Sequence, residues 1–271
     1  MRREDEAALL HLWNRSCPFD PITLDLLREK VWGDTDFQGA YVAEPFDGFA
    51  MAVRREGKST VKFLLVPPES RRRGLGARLL EAAEASLPPG PIRIAESNPN
   101  YLVPGVDVRY TAGLLFLEKR GYKKFGETYN LVCDLRQDFP EEEREGVRRA
   151  QTGDRDAVMA FLDQHWAGWK YEVAKMFEND PVSLHLAWEG QRLRGFSGYD
   201  GNNLGTGWFG PMGTDPERRG AGLGGILLRR CLADLKAQGH EQAIIPWVGP
   251  YGFYHKQCGA RIDRVFWRYE K

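Results

Sequence analysis

The chain has 271 residues, which suits two domains of ordinary size, and its hydrophobic content of 42% is typical of a soluble globular protein. Lysine plus arginine and aspartate plus glutamate number 38 each, a balance that argues against a general binder of nucleic acid or membrane surfaces. No apolar run is long enough to span a membrane, the amino terminus lacks a signal-peptide core, and the four cysteines have no metal-ligand spacing. We therefore expect a protein of the reducing cytoplasm, without a metal site.

The first half of the chain alternates predicted helices and strands. Helical periodicity covers 4–13, prolines interrupt it, and Thr23 can cap a second helix over 24–32. The elements predicted after these are strands at 41–43, 49–54 and 61–66, a helix ending at Ser86, a strand at 92–95, a loop over 98–107, a helix at 114–120 and a strand at 129–135. This alternation favours a mixed sheet flanked by helices.

The second half repeats this order after an acidic stretch, 139–144, which we interpret as part of a linker. The predicted elements are a strand at 147–150, helices at 154–166 and 171–177, strands at 183–188, 193–199 and 207–212, a helix ending near Gly239, a strand at 242–247, a short helix at 253–257 and a strand at 261–269. We therefore predict one domain over 1–137, a linker over 138–145 and a second domain over 146–271.

A glycine-rich turn separates a strand from a helix in the second half. Its sequence is Met212-Gly-Thr-Asp-Pro-Glu-Arg-Arg-Gly-Ala-Gly-Leu-Gly224. Glycines at a helix start let the backbone approach a ligand, and the free N–H groups and the positive end of the helix dipole suit a phosphate. Arg218 and Arg219 add positive charge beside them.

Three known loop patterns and one plain structural explanation compete for this turn. Gly220, Gly222 and Gly225 have dinucleotide-loop spacing, but too few residues follow for the rest of such a fold. A Walker loop would need Gly-Lys followed by Ser or Thr, which is absent. Arg219, Gly222 and Gly224 fit the pattern Arg-x-x-Gly-x-Gly. The plain explanation is a glycine-rich helix start without a ligand.

The same pattern occurs earlier in the chain, again between an apolar strand and a helix. Its three fixed positions precede those of the later loop by the same 148 residues; they are Arg71, Gly74 and Gly76. The dinucleotide spacing is not repeated there. A self-match near half the chain length indicates a duplicated domain and not a short-period solenoid.

The duplicated loop resembles the pyrophosphate loop of the GNAT family of N-acetyltransferases. The resemblance covers nearly the whole chain, although only the loop and a later helix match specifically. It implies an α/β (α+β) fold of two tandem GNAT-like domains, each a mixed, mostly antiparallel sheet flanked by helices. It also implies acetyl-CoA as cosubstrate and a small-molecule amine as acceptor, with the oligomeric state left open.

The resemblance also assigns coenzyme-binding positions. In this family the pantetheine arm lies between the strand before the loop and the strand after the loop helix, and the loop holds the pyrophosphate. The positions implied in the second domain are Met212, Thr214, Arg219, Gly220, Ala221, Gly222, Leu223 and Gly224. Those in the first domain are Val66, Arg71, Arg72, Arg73, Gly74 and Gly76, and whether that domain binds coenzyme is left open.

Many family members place a tyrosine on the short helix that follows, where it can protonate the leaving thiolate. Counting from Phe253 puts Tyr254 at this position, whereas counting back from Gly259 puts His255 there. The first domain has Leu117, which cannot donate a proton. We therefore predict Tyr254 as the catalytic residue and the first domain as a degenerate copy.

The sequence predicts no general base, because 207–213 contains no carboxylate where the family often has a glutamate. Glu172, His185 and Asp200 are interpreted as solvated or hydrogen-bonded surface residues. An aromatic cluster could line the acceptor pocket or pack in the core, and we favour core packing for at least two of its members; these are His165, Trp166, Trp169 and Tyr171. Amino sugars, polyamines, antibiotics and peptide amino termini all remain as acceptors, and a coenzyme-A-binding sensor without transfer activity is the alternative function.

Overall fold

The computed structural model of the chain describes residues 3–43, 46–140 and 142–271. Its contacts divide the chain into two compact units, Met1–Thr128 with Val265–Lys271, and Tyr129–Arg264. These units differ from the predicted domain limits, which were drawn along the sequence and stay a prediction. Met1, Arg2 and the linker residue Glu141 lie outside the described residues.

The first unit is a sheet between two layers of helices. Its elements are α1 Glu6–Ser16, α2 Leu24–Leu27 with a π-helical turn Arg28–Trp32, β1 Phe37–Ala43, β2 Gly48–Arg55, β3 Lys58–Leu65, α3 Leu75–Ala85, β4 Ile92–Ile94, β5 Val106–Asp107, α4 Thr111–Lys119, the first residues of β6 Lys123–Asp134 and the last residues of β12 Arg261–Glu270. Strands β1, β2 and β3 pair antiparallel, β3 pairs parallel with β4, and β12 pairs antiparallel with β4 and β5.

Alternation along β2 explains the two layers, because successive side chains of a strand point to opposite faces. Phe49 and Met51 pack with Leu9 and Trp13 of α1 on one face. Ala52 belongs to the apolar cluster on the other face, where α3 contributes buried leucines. As predicted, Thr23 caps α2, since its hydroxyl accepts a hydrogen bond from the N–H of Leu26 at 3.2 Å.

The second unit has a four-stranded antiparallel sheet in the order β10-β9-β8-β7 and a separate strand, β11, that pairs antiparallel with the last residues of β6. Its elements are β7 Val147–Arg149, α5 Arg155–His165, α6 Lys170–Met176, β8 Leu184–Glu189, β9 Arg192–Tyr199, β10 Phe209–Thr214, α7 Leu223–Ala237, β11 Gln242–Ile245 and α8 Tyr251–Cys258. Apolar residues of α5 and α6 pack with Phe196 on one face of the sheet, and Leu227 of α7 packs with Ala187 on the other.

The predicted fold class is confirmed, because both units contain helices and mostly antiparallel strands. Four element predictions were wrong in extent. β1 begins at Phe37 and not at 41, and the other three concern later parts of the chain. The loop predicted over 98–107 contains the short strand β5, β6 begins at Lys123 and not at 129, and β10 begins at Phe209 because Gly207 turns the chain at φ +72°. Cys133 and Cys231 are fully buried, as expected for small core residues. Of the helices in the described ranges, none has the length and apolar character needed to cross a membrane.

Candidate active site

Two strands of the second unit meet at one point and then separate. Trp208, just before β10, forms a single parallel bridge with Ile244 of β11, and the N–H of Ile244 donates to the carbonyl of Gly207 at 2.8 Å. Beyond this bridge β10 pairs only with β9, and β11 pairs with β6. One edge of β10 therefore stays open to an extended ligand, which could pair with it like an added strand.

The open edge carries the two residues predicted to bind an extended arm. The N–H of Asp215, directly after β10, donates to the carbonyl of Arg194 in β9 at 2.8 Å. Because neighbouring residues of a strand direct their backbone groups to opposite sides, Thr214 and Met212 direct theirs away from β9. Both residues are half-buried.

The loop after β10 enters α7 through two glycines in the left-handed region, Gly220 at φ +83° and Gly222 at φ +82°. Gly222 is the N-cap of α7, and its carbonyl accepts from the N–H of Gly225 at 3.1 Å. Among the described residues, none accepts a hydrogen bond from the N–H groups of Leu223 and Gly224, the unpaired donors of a helix start. Together with the helix dipole, these donors create a place for a phosphate.

Asp215 fixes the start of this loop. Its carboxylate accepts from the N–H of Glu217 at 2.9 Å and from Arg194 Nη1 at 2.7 Å. These two hydrogen bonds lower the pKa of Asp215, so the side chain is a carboxylate at neutral pH. The loop therefore leaves β10 in a defined direction.

The arginines near the loop have different surroundings. Arg218 donates to Glu189 at 2.6 Å, and this hydrogen bond lowers the pKa of Glu189. Arg219 is exposed. Arg144, from the predicted linker, donates through Nη1 to the carbonyl of Ala221 at 2.7 Å. Sequence reasoning missed Arg144, because the mainly acidic composition of the linker carries no signal for the place of its one arginine.

The packing of two phenylalanines fixes how α8 corresponds to α4. A Cβ built on Gly224 would lie 3.4 Å from the ring of Phe253, and one built on Gly76 would lie 3.6 Å from the ring of Phe116. The phenylalanines therefore occupy equivalent places beside the two loop helices, and the correspondence runs from Phe253. His255, which counting from the glycine would select, is exposed.

Counted from Phe253, the residue equivalent to Leu117 is Tyr254. Its side chain is 9% exposed and packs against Phe209 of β10, with ring centroids 6.1 Å apart, in a cluster that includes Ile245 of β11. Tyr254 thus contacts β10 and belongs to the same apolar cluster as a residue of β11. Burial raises the pKa of Tyr254, which keeps the hydroxyl protonated and able to donate.

The aromatic cluster predicted near the acceptor lies partly on β10. Trp166 and Trp169 stack with ring centroids 5.4 Å apart, and both pack against the apolar core between α5, α6 and the sheet. A Cβ built on Gly213 would lie 2.5 Å from the ring of Trp166, so this ring covers the strand between the two positions predicted to bind the arm. Core packing therefore describes the two tryptophans, whereas Tyr171 is 36% exposed.

The loop of the first unit has the same backbone geometry as that of the second. In the first unit, however, a side chain of the loop already hydrogen-bonds to the backbone at the end of the preceding strand. Arg72 and Gly74 have φ values of +64° and +78°, and Gly74 is the N-cap of α3. Arg71 donates to the carbonyl of Val66 at 2.9 Å and to that of Ser16 at 3.2 Å. The carbonyl at the end of β3 is therefore already engaged by the first arginine of the loop. The exposed loop residues are Arg71, Arg72, Arg73 and Gly74, and Gly76 is half-buried.

A buried charged cluster, which sequence reasoning missed, lies beside β3. The Nζ of Lys62 donates to Asp34 at 2.5 Å and to the carbonyl of Lys30 at 2.7 Å, and Arg55 donates to the same carboxylate. Burial lowers the pKa of Lys62 to about 7, against the opposing attraction of Asp34. The residue 148 positions later is Gly210, which has no side chain. At this position of the strand before the loop, the first unit thus has a buried lysine with charged partners, whereas the second unit has a glycine without a side chain.

The interpretation of two candidate bases as surface residues was wrong. Glu172 is 4% exposed and His185 5% exposed, because α6 packs on the sheet and β8 is one of its inner strands. Nε2 of His185 lies 2.6 Å from Asp234, which also accepts from Arg149 at 2.6 Å. Asp200 is half-buried. β10 itself contains no carboxylate, so no base is assigned, and no group of three or more metal-ligating side chains occurs within the described ranges.

Comparison with known proteins gives a family match for most of the second unit. Residues 134–260 match the family described as Acetyltransferase (GNAT) family. The chain is also 27% identical over 220 residues to the mycothiol acetyltransferase of Saccharopolyspora erythraea, an alignment that covers 73% of this chain and 72% of that protein.

Solved structures share the fold over the whole chain. A GCN5-related glucosamine N-acetyltransferase region of a fungal β-N-acetylglucosaminidase gives a TM-score of 0.84 at 18% identity, and the match covers 100% of this chain but only 37% of that one. A GCN5-related N-acetyltransferase from Sphaerobacter thermophilus gives 0.75 at 19% identity, covering 100% and 93%. A tandem GNAT protein from the clavulanic acid biosynthesis pathway gives 0.72 at 16% identity, covering 99% and 94%.

Proposed function

Residues 134–260 form a GNAT acetyltransferase domain, and from that premise we propose that the chain transfers the acetyl group of acetyl-CoA directly to the amine of a small molecule. The observation that carries the proposal is the arrangement in the second unit. An open strand edge, a loop with unpaired N–H groups after the same strand, and a buried tyrosine that packs against that strand occur together in this unit. This arrangement suits a ligand with an extended arm and a pyrophosphate.

The second unit supplies matching groups for each part of acetyl-CoA. The backbone of Met212 and Thr214 can pair with the amide groups of the pantetheine arm, as a strand pairs with its neighbour. The N–H groups at the start of α7 can donate to the pyrophosphate. In the first unit, Arg71 already engages the equivalent strand end at Val66, which favours chemistry in the second unit.

Transfer needs two proton movements besides the exchange of bonds at the acetyl carbon. A neutral amine forms the new N–C bond as the C–S bond breaks, and the amine loses one proton. Tyr254 is the proposed donor to the departing thiolate, because its raised pKa keeps it protonated and it packs against Phe209 of β10. We assign no residue as the base.

We place the acceptor beside the aromatic cluster of α5 and α6, where Tyr171 is 36% exposed, whereas Trp166 and Trp169 pack against the core. Aromatic faces next to a strand can stack on a sugar ring or hold a cationic amine. Glucosamine is therefore the first amine to test, since the fungal region is described as a glucosamine N-acetyltransferase. Polyamines, aminoglycosides and peptides with free amino termini complete the panel.

The absence of a carboxylate from β10 favours a second function, a sensor that binds coenzyme A without transferring an acetyl group. Isothermal titration with acetyl-CoA and a thiol-release assay across the amine panel separate the two. We expect acetyl-CoA to bind and to raise the melting temperature, and one class of amine to release free thiol. Binding without thiol release from any amine would support the sensor, and no binding would exclude both functions.

A further inference from the structure

The segment that joins the predicted domains is attached along α7. Lys236 donates to the carbonyl of Gln137 at 2.9 Å, at the carboxyl end of the helix. Nearer its start, Arg229 donates to the carboxylate of Glu142 at 2.7 Å and Arg230 to the carbonyl of the same residue at 3.3 Å. These contacts direct the segment towards the start of α7, so the residues after Glu142 reach the glycine loop.

Arg144 is the residue of this segment that contacts the glycine loop. One of its terminal nitrogens donates to the carbonyl of Ala221 at 2.7 Å and lies 3.6 Å from a Cβ built on Gly222, the N-cap of α7. A guanidinium has five N–H donors, so one such bond leaves others for a ligand. The side chain is exposed, and no described residue forms an ion pair with it. Arg218 of the loop itself pairs with Glu189, which limits its use for a phosphate.

The first loop has a guanidinium in the same place from a different source. A terminal nitrogen of Arg78, in the first turn of α3, lies 3.7 Å from a Cβ built on Gly74. The residue of α7 at the corresponding position is Ile226, which is 2% exposed and packs in the core. The second loop thus lacks its own arginine at this position, and Arg144 brings one from the linker. Two independent parts of the chain place a guanidinium beside the N-cap glycine.

We propose that Arg144 binds the pyrophosphate of the coenzyme in the second unit, as a positioning residue supplied by the linker. This inference rests on the proposed function. The N–H groups of Leu223 and Gly224 and the guanidinium of Arg144 meet at the start of α7. A planar guanidinium forms charge-assisted, often bidentate hydrogen bonds with phosphate oxygens. The linker thereby becomes part of the coenzyme site.

The test compares Arg144→Ala and Arg144→Lys with the wild type, using coenzyme A and 3′-dephospho-coenzyme A as titrants. Both titrants carry the pyrophosphate, and only the first carries the 3′-phosphate. We expect Arg144→Ala to weaken both by about tenfold, the size of one charge-assisted hydrogen bond, and Arg144→Lys to weaken both less. In steady-state assays KM for acetyl-CoA should rise while kcat stays the same.

Arg136→Ala is the matched control, because Arg136 is an exposed arginine near the same segment that pairs with Asp134. It should leave both affinities unchanged. Equal binding by Arg144→Ala and the wild type would overturn the inference, and so would a loss confined to coenzyme A, which would assign Arg144 to the 3′-phosphate. If the wild type binds neither titrant, the proposed function itself fails. A melting curve for each variant separates loss of affinity from loss of folding.

Discussion

Tyr254 is buried and packs against Phe209 of β10. Removing its hydroxyl oxygen alone tests whether it acts as the proton donor. Tyr254→Phe keeps the ring that packs against Phe209 and removes only the hydroxyl. We expect kcat to fall by about 100-fold, in the range of general acid catalysis, with Kd for acetyl-CoA unchanged, because the hydroxyl acts on the developing thiolate and not on the ground state. Stopped-flow or steady-state thiol release and isothermal titration measure the two quantities.

The matched control is Tyr251→Phe, on the same helix but 56% exposed. It should leave kcat unchanged, and an equal loss in both variants would contradict the role of Tyr254. The pH profile adds a second check. Since burial raises the pKa of Tyr254 above its ordinary value of about 10, the donor keeps its proton throughout the neutral range. The kcat of the wild type should therefore show no loss from ionisation of this group below about pH 10.

Individual site residues were predictable from the sequence where a backbone rule or a motif places them. The loop glycines are examples, because left-handed φ at Gly74 and Gly222 favours a residue without Cβ. Arg144 and Lys62 were not predictable. Each acquires its place through contacts with residues far away in the chain, and neither composition nor periodicity encodes such contacts.

At the scale of elements, the two strand–loop–helix segments form a natural pair for comparison. Gly222 and Gly74 have φ values of +82° and +78°, and a Cβ at either would have only ordinary van der Waals contacts. Valine at either position should therefore cost a similar free energy of unfolding, about 1–3 kcal/mol from backbone strain. Gly222→Val should also abolish acetyl transfer, because the N–H groups of the loop move away from the phosphate. Gly74→Val should leave transfer largely intact.

Chemical denaturation of both glycine variants checks that the costs match, and the thiol-release assay compares their activities under conditions where both are folded. A folded Gly74→Val variant that loses activity as completely as Gly222→Val would move the chemistry out of the second unit. Retained activity in both would remove the loops from coenzyme binding altogether.

Most elements were predictable, because amphipathic periods and turn residues are local signals. The helices agree with their predicted ranges to within a few residues. The strand β5 was missed because its two residues are stabilised by pairing with β12, far away in the chain. The start of β6 was missed for a similar reason, since 123–128 is mostly exposed and polar and lacks an alternating pattern of its own.

At the scale of the molecule, two strands supply residues to both units. Tyr129–Asp134 of β6 belongs to the second unit, and Val265–Glu270 of β12 belongs to the first. Tyr269 is fully buried in the core of the first unit, and its hydroxyl donates to Glu118 at 2.9 Å. A domain limit drawn along the sequence cannot express this exchange, because pairing of β strands depends on contacts between distant residues.

This exchange predicts that the first unit needs the last strand. Tyr269→Ala should lower the free energy of unfolding by about 3–5 kcal/mol, as expected for loss of a buried aromatic side chain. Ile262→Ala, on the same strand but 48% exposed, should cost less than about 1 kcal/mol. Urea denaturation followed by circular dichroism measures both. A fragment of residues 1–137 should not unfold cooperatively by itself, and a cooperative transition would contradict the assignment of 265–271 to the first unit.

The exchanged strand also sets the order in which a nascent chain can fold. Domains of a growing polypeptide usually fold from the amino terminus as they leave the ribosome. Here Arg93 pairs with Glu270, a partner 177 residues later, and Ile92 exchanges two backbone hydrogen bonds with Lys271. The unit whose residues are made first therefore cannot close until residue 271 has been made. Until then β4 has a free edge, the kind of surface that invites aggregation and that chaperones cover during translation.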